Sequence, residues 1–179
     1  MNQYIDLSIK KIEIKQKETR RSLMVKIEME NGGVITLELY PDAAPKTVAN
    51  FEKLVKSGFY NGLIFHRVIS GFMIQGGDPT GTGMGGSEEE IPGEFISNGF
   101  PNPISHERGV VSMARTNDPN SASSQFFIMH KDGKFLDGQY AAFGKVIDGI
   151  EIVDEIAAAK TDRNDKPIKE QKIKTITIV

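Results

Sequence analysis

"MVKIEMENGGVITLEL", Met24 to Leu39, is the stretch from which the fold is read. Val25, Ile27 and Met29 alternate with Lys26, Glu28 and Glu30, and Ile35, Leu37 and Leu39 alternate with Thr36, Glu38 and Tyr40. Apolar residues at period two put one face of a strand on a core and the other in water. Between the runs stands Asn31-Gly32-Gly33, a turn signal. The stretch is a β-hairpin.

The period then changes. In "PDAAPKTVANFEKLVKSGFY" Pro45 suits the first turn of a helix, Val48, Phe51, Leu54 and Val55 form one apolar stripe, and Gly58 suits the stop. One amphipathic helix packed on a sheet is expected. From Leu63 to Val146 short apolar runs are cut by loops rich in glycine, proline and asparagine, with "GVVSMAR", "SQFFIMH" and "YAAFGKVI" the clearest runs. A second helix fits Ile150 to Ala159, with Ile152, Val153 and Ile156 facing inward, and "KIKTITIV" closes the chain as a strand. Many strands and two helices without βαβ alternation predict an antiparallel sheet or closed barrel with helical lids. No repeat is present, and no linker divides residues 24–179.

Residues 1–23 differ. They carry a net charge of +3 against −5 for the remainder, and Ile5, Leu7 and Ile9 alternate with polar residues, as do Ile12 and Ile14. Period two argues for a strand that needs a sheet edge, on the main domain or on a partner. A solvated tail, or a true start at Met24, are the bland alternatives.

Composition bounds the function. The 179 residues are 39% hydrophobic and 26% charged, with a formal net charge of −2. That suits one globular domain, and nothing overall steers it to nucleic acid or to a membrane surface. The absence of cysteine excludes disulfides, thiolate metal sites and cysteine nucleophiles. No apolar run has the length of a membrane span or the place of a signal peptide, so the expected address is cytoplasmic.

Several chemistries are weighed and set aside. Gly81-Thr82-Gly83-Met84-Gly85-Gly86 is a literal G-x-G-x-x-G, but Glu88, Glu89 and Glu90 follow it, and Pro92 stops an early helix. Acids there would repel a phosphate, so a mobile surface loop is the better reading than a dinucleotide site. His66, His106 and His130 are far apart, with no metal-binding spacing, and His66 in a strand run reads as a hydrogen-bonded structural residue. Ser121, Ser123 and Ser124 lack a nucleophile elbow. That leaves Arg67 among Phe65, Val68, Ile69 and Phe72, with Gln75 beyond it. A guanidinium in apolar company is costly to desolvate and needs a partner. Either it pairs with an acid such as Glu88 or Glu94, or it meets a ligand that is mostly apolar yet carries a carbonyl, of which peptide is the obvious class.

"GGVITLELYPDAAPKTVANF", "FHRVISGFMIQGGD", "GVVSMAR", "SSQFFIMH" and "FLDGQYAAFGKVIDGIEIVD", in that order, resemble the cyclophilins, the peptidyl-prolyl cis-trans isomerases. The likeness runs from about Val25 to Val179 and omits the arm. It implies a closed eight-stranded antiparallel β-barrel with a helix at each end, and a groove that binds a proline-containing peptide. By motif position it implies Arg67 as the catalytic arginine, and Phe72, Met73, Phe127 and Leu136 as the proline pocket. Gln75 and Gln125 become polar groove contacts, and Ala114 and Arg115 sit where backbone pairs with extended peptide. Thr116 lines the neighbouring groove.

Two positions depart from several eukaryotic members: Phe135 stands for tryptophan and Tyr140 for histidine, a pairing more like the bacterial members. Phenylalanine keeps an apolar wall but has no N–H donor. In the family that donor goes with tight cyclosporin binding, so weaker binding of such a ligand is implied. "RTNDPNSASSQ" is one residue longer than the common form. Rotation breaks no bond, so no nucleophile, cofactor or metal is expected. The implied partners are proline-containing peptides and unfolded chains, met by a monomer that assists folding. A proline-gripping chaperone or scaffold with incidental catalysis is the alternative.

Overall fold

The computed structural model describes residues 23–179. The arm expected over residues 1–23 lies outside these except for Leu23, which opens the first strand.

Strands β1 (Leu23–Met29) and β2 (Val34–Leu39) form the expected hairpin, in register from Leu23 opposite Leu39 to Glu28 opposite Val34. Val25, Ile27, Met29, Ile35, Leu37 and Leu39 are all buried, as the alternation requires. Gly32 sits at φ +90°, a conformation that side chains resist, and Asn31 Oδ1 accepts the Gly33 N–H at 3.0 Å. Helix α1 (Pro45–Lys56) starts on its proline. Its Thr47 N–H and hydroxyl both donate to Oε1 of buried Glu94, at 2.6 and 2.8 Å. Glu94 is therefore spent on the helix start and does not meet Arg67. Phe51 of α1 packs among Tyr60, Phe126 and Phe143, with ring centroids 5.1–5.5 Å apart.

The remaining elements are β3 (Arg67–Ile69), β4 (Met73–Gly76), β5 (Val110–Met113), β6 (Phe126–Met129), β7 (Ala142–Asp148), helix α2 (Ile150–Ala157) and β8 (Ile173–Ile178). Helix α2 stops two residues before the expected end, and Val153 and Ile156 are buried while Ile152 packs at the core margin. The eight strands make one antiparallel sheet in the order β3-β4-β6-β5-β7-β2-β1-β8. Among the described residues no helix is long and apolar enough to cross a membrane.

Closure is where expectation and structure part. The sheet is open: β3 and β8 are its edges and do not pair as strands. The three residues of β3 pair with β4 on one side, and on the other a turn lies where a further strand would be. Val68 N–H donates to the Asp165 carbonyl at 2.7 Å, and Asp165 sits in a tight turn at φ +62°. Only the approaches meet, through the Ile64–Lys172 bridge and hydrogen bonds such as Phe65 N–H to Gln171 O at 2.9 Å.

The glycine run also differs from expectation. It wraps Asp78, which is 1% exposed. One carboxylate oxygen accepts the N–H and hydroxyl of Thr80, both at 2.8 Å, and the other accepts the N–H groups of Thr82, Gly83 and Gly85 at 2.6–3.2 Å. A β-carbon on Gly85 would collide with that carboxylate. Amides that could cradle a phosphate thus hold an anion of the chain itself, and the loop is tied down rather than mobile.

Burial alone would raise the Asp78 carboxyl, but the hydrogen bonds from Thr80, Gly85 and Gly83 outweigh it and hold the group at about 2, below the ordinary 3.8. A depressed carboxyl contributes stability that is full above its ordinary value and lost as pH falls through the folded one. Asp78→Asn turns one acceptor into a donor that faces N–H groups. We expect it to lower unfolding stability by about 2 kcal/mol or more at neutral pH, with the deficit shrinking by about half near pH 3. Urea titrations of both proteins across that range check this, and a deficit independent of pH would place the effect elsewhere.

Candidate active site

Strands β4, β5 and β6 are buried along both faces. Ile74, Val111, Met113, Phe126 and Ile128 face the main core, while Met73, Val110, Phe127 and Met129 form a second cluster with Leu136 and Ala142. Ile69, Phe72, Ile104, Ala114 and Tyr140 pack against that second cluster, and on it lies the groove.

A pocket of about 130 Å³ there is lined by Arg67, Phe72, Met73, Gln75, Ala114, Arg115, Phe127, Leu136 and Tyr140. Phe72 and Met73 are adjacent yet both face it, because Phe72 belongs to the turn before β4, where its N–H donates to Ile69 O at 3.0 Å. A groove of about 490 Å³ adjoins it and takes in Gln125 and Thr116 with Gln75, Ala114 and Arg115. Phe135 lines neither: its ring packs on Phe72 at 5.6 Å and is 71% exposed.

Arg67 is not buried as its apolar neighbours suggested. Strand alternation turns Val68 into the core and leaves Arg67 exposed at the pocket rim. Its Nη1 donates to Gln75 Oε1 at 3.3 Å, and among the described residues it pairs with no carboxylate. Gln75 Nε2 donates to Gln125 Oε1 at 2.9 Å, and Gln125 Nε2 donates to the Gly85 and Gly83 carbonyls at 2.7 and 3.0 Å. The guanidinium is thus braced, through two amides, on the loop that Asp78 holds.

The pocket wall has supports that sequence reasoning missed. Phe127 is 5% exposed, edge-on to Tyr140 at 5.9 Å and stacked on His106 at 6.1 Å. His106 is fully buried, with Nδ1 2.9 Å from Asp137 Oδ1 and Nε2 2.9 Å from Ser112 Oγ. Nδ1–H donating to the carboxylate, with the Ser112 hydroxyl donating to Nε2, satisfies all three groups. Burial pushes the imidazole below its ordinary range against the pull of Asp137, so the ring under Phe127 is neutral. Arg115 does not reach into the groove as a free cation. Its guanidinium lies over Tyr140 at 4.6 Å and Phe95 at 5.0 Å and donates to the Gln139 and Thr116 carbonyls. The Ala114 N–H is taken by Gln125 O at 3.0 Å, while Thr116 bonds Ser121 through N–H and hydroxyl.

Two further histidines complete the picture. His130 Nδ1 accepts the Gly71 N–H at 2.8 Å, and its Nε2 lies 3.1 Å from Asp154, which Arg108 grips with both nitrogens at 2.6 and 2.8 Å. That links α2 to the turn before Phe72. His66, expected to be hydrogen-bonded, is buried with neither ring nitrogen partnered among the described residues. No cluster of metal-binding side chains occurs among those residues.

Comparisons with known proteins give the family. Residues 24–178 match the family model for cyclophilin type peptidyl-prolyl cis-trans isomerase/CLD. The chain is 43% identical over 152 residues to the Schizosaccharomyces pombe peptidyl-prolyl cis-trans isomerase ppi1, covering 84% of this chain and 96% of that protein. It is 46% identical over 158 residues to a probable peptidyl-prolyl cis-trans isomerase of Brucella suis, covering 82% of this chain and 78% of that one. Against a longer fungal relative it spans 29% of the length. The crystal structure of a Cryptosporidium parvum cyclophilin type peptidyl-prolyl cis-trans isomerase in the presence of the dipeptide Ala-Pro superimposes with a TM-score of 0.80 at 40% identity, covering 87% of this chain and 98% of that one. The pocket on the second face of the sheet is thus set in a chain that belongs to the cyclophilin-type peptidyl-prolyl cis-trans isomerases.

Proposed function

We propose that this isomerase seats the proline ring of its substrate in the 130 Å³ pocket and lowers the rotational barrier with Arg67. The observation that carries the reading is a guanidinium at the rim of an apolar pocket, braced by Gln75 and paired with no carboxylate among the described residues. The Ala-Pro dipeptide present with the similar structure supports a proline-containing ligand.

The chemistry follows from the bond. Amide resonance sets a barrier of about 18–20 kcal/mol to rotation about X–Pro, and twisting removes that resonance. The prolyl nitrogen becomes pyramidal and regains a lone pair. A fixed N–H donor near it stabilises the twisted form more than either planar form, and only such a difference speeds rotation. Phe127, Met73 and Leu136 grip the ring, Phe72 and Tyr140 flank it, and the preceding carbonyl swings outside. Gln75 sets the guanidinium angle, and Gln125, Thr116 and the Ala114–Arg115 backbone border the adjoining groove for the extended chain. One chain supplies the whole lining, so a monomer suffices to act on proline-containing segments of unfolded chains. A cytoplasmic setting accords with a chain that has no cysteine. Exposed Phe135 offers no N–H, so a cyclosporin-type ligand binds weakly.

Exchange spectroscopy by NMR on a short Ala-Pro peptide tests the assignment without a coupling enzyme. Arg67→Lys keeps the charge but loses the planar fork, and Arg67→Ala loses both. Each is expected to lower kcat/KM by about 100-fold, with an unchanged melting temperature because the side chain is exposed. Near-normal turnover in either would remove Arg67 from the mechanism. Line broadening of the peptide by the wild-type protein without faster exchange would mean a proline-gripping module instead.

Phe127→Ala acts on the other half of the site. Removing a ring that is 5% exposed and stacked on His106 is expected to raise KM and cost about 3–5 kcal/mol in unfolding stability. Denaturant titration and saturation kinetics on the same preparation separate the two effects.

A further inference from the structure

Across Arg67 from the proline pocket lies another cavity, of about 400 Å³, whose walls include His66, Arg67, Lys166, Asp162 and Asn164. Arg67 and Gln75 line both cavities. The two cavities thus share one wall.

The lining favours negative charge. Arg67 and Lys166 bring two cations, and neither is ion-paired among the described residues. Two carboxylates oppose them: Asp162, whose Oδ1 is occupied by the N–H groups of Asn164 and Lys166 at 2.8 and 3.1 Å, and Asp78 behind His66, whose charge the glycine-loop amides hold. His66 is 5% exposed, and among the described residues both its nitrogens lack a partner. Its Nε2 faces Gly83 of the same cavity, 3.5 Å from where a β-carbon there would sit. Buried polar groups almost always have partners, so this imidazole is a donor without an acceptor. The turn bearing Lys166 is held in place, because Asp162 N–H donates to Lys166 O at 2.8 Å and Val68 N–H to Asp165 O at 2.7 Å, next to Arg67. The opposite flank differs in sign: the 490 Å³ groove carries Glu88 and Glu90. The Arg115 guanidinium in that groove is engaged over Tyr140.

We propose that the 400 Å³ cavity is a subsite for an anionic side chain, carboxylate or phosphate, next to the substrate proline, with Lys166 as the residue that sets the preference. The proposal rests on the reading of the neighbouring pocket as the proline site. Lys166 attracts the anion at the end of a flexible stem, and Arg67 shares its charge between anion and imide.

The test uses Ala-Pro peptides carrying alanine, glutamate, phosphoserine or lysine directly before or directly after the dipeptide. Exchange rates are measured at low salt with the wild-type chain, Lys166→Arg and Lys166→Glu. At one of the two positions glutamate and phosphoserine are expected to raise kcat/KM about fivefold over alanine, and lysine to lower it. Lys166→Arg keeps that order, and Lys166→Glu reverses it. The glutamate and phosphoserine arms separate a carboxylate site from a phosphate site. Salt at about 0.5 M is expected to shrink the preference. Equal rates at both positions, or a preference that persists in Lys166→Glu, overturn the subsite while the isomerase reading stands. Absence of acceleration for every peptide overturns that reading itself.

Discussion

A β-strand has two faces, and a sheet that curls around one core leaves the outer face to water unless something apolar covers it. Here β4, β5 and β6 carry apolar residues on both faces, with Gln75 and Ser112 the polar exceptions on the outer one, and that constraint organises the rest of the molecule. The inner residues, Phe126 and Ile128 among them, pack on the aromatic cluster around Phe51. The outer ones, Phe127, Met129 and Met73, need their own cover and receive it incompletely from Leu136, Phe72 and Tyr140. The gap that remains is the pocket. A site made this way inherits the rigidity of the sheet, since moving its floor would shift side chains in the core behind it.

Polar order along the groove comes from a chain of hydrogen bonds with a buried charge at its end. Asp78 gathers the amides of the glycine loop, the loop carbonyls receive Gln125, Gln125 receives Gln75, and Gln75 receives Arg67. An exposed arginine on a three-residue strand has many rotamers, and in the proposed mechanism freezing them would cost entropy on every encounter with substrate. Anchoring the guanidinium beforehand removes part of that cost. His106 does the equivalent for the apolar side, where a neutral ring fixed by Asp137 and Ser112 gives Phe127 a flat surface to lie on.

What was legible in the sequence and what was not divide by range. The hairpin from Leu23 to Leu39 and the helix at Pro45 obey local rules of period and turn chemistry, and both stand where those rules put them. The residues around the pocket were named from a resemblance, and all but Phe135, Thr116 and Gln125 line one cavity. Contacts between distant segments left no local trace. Nothing near Glu94 announces Thr47, forty-seven positions away, and nothing in "SMAR" shows Arg115 lying over Tyr140. Asp78 escaped notice for the opposite reason: the glycine motif drew attention to a foreign anion when the anion stood three residues upstream. Closure was misjudged because a barrel and a nearly closed sheet share strand number and alternation, and differ only in what lies beside the edge.

That edge bears on the company the protein keeps. Extended, unfolded segments seek unpaired strand backbones, and an edge that offers them becomes a template for aggregation. On the proposed reading, in which unfolded chains are the substrates, the protein meets such segments continually. The turn at Asp165 occupies the Val68 N–H, and the Leu63–Phe65 stretch engages Gln171 and Ile173 at the start of β8. Both edges are thereby blunted where they come together, and an extended chain would find there little free ladder on which to stay.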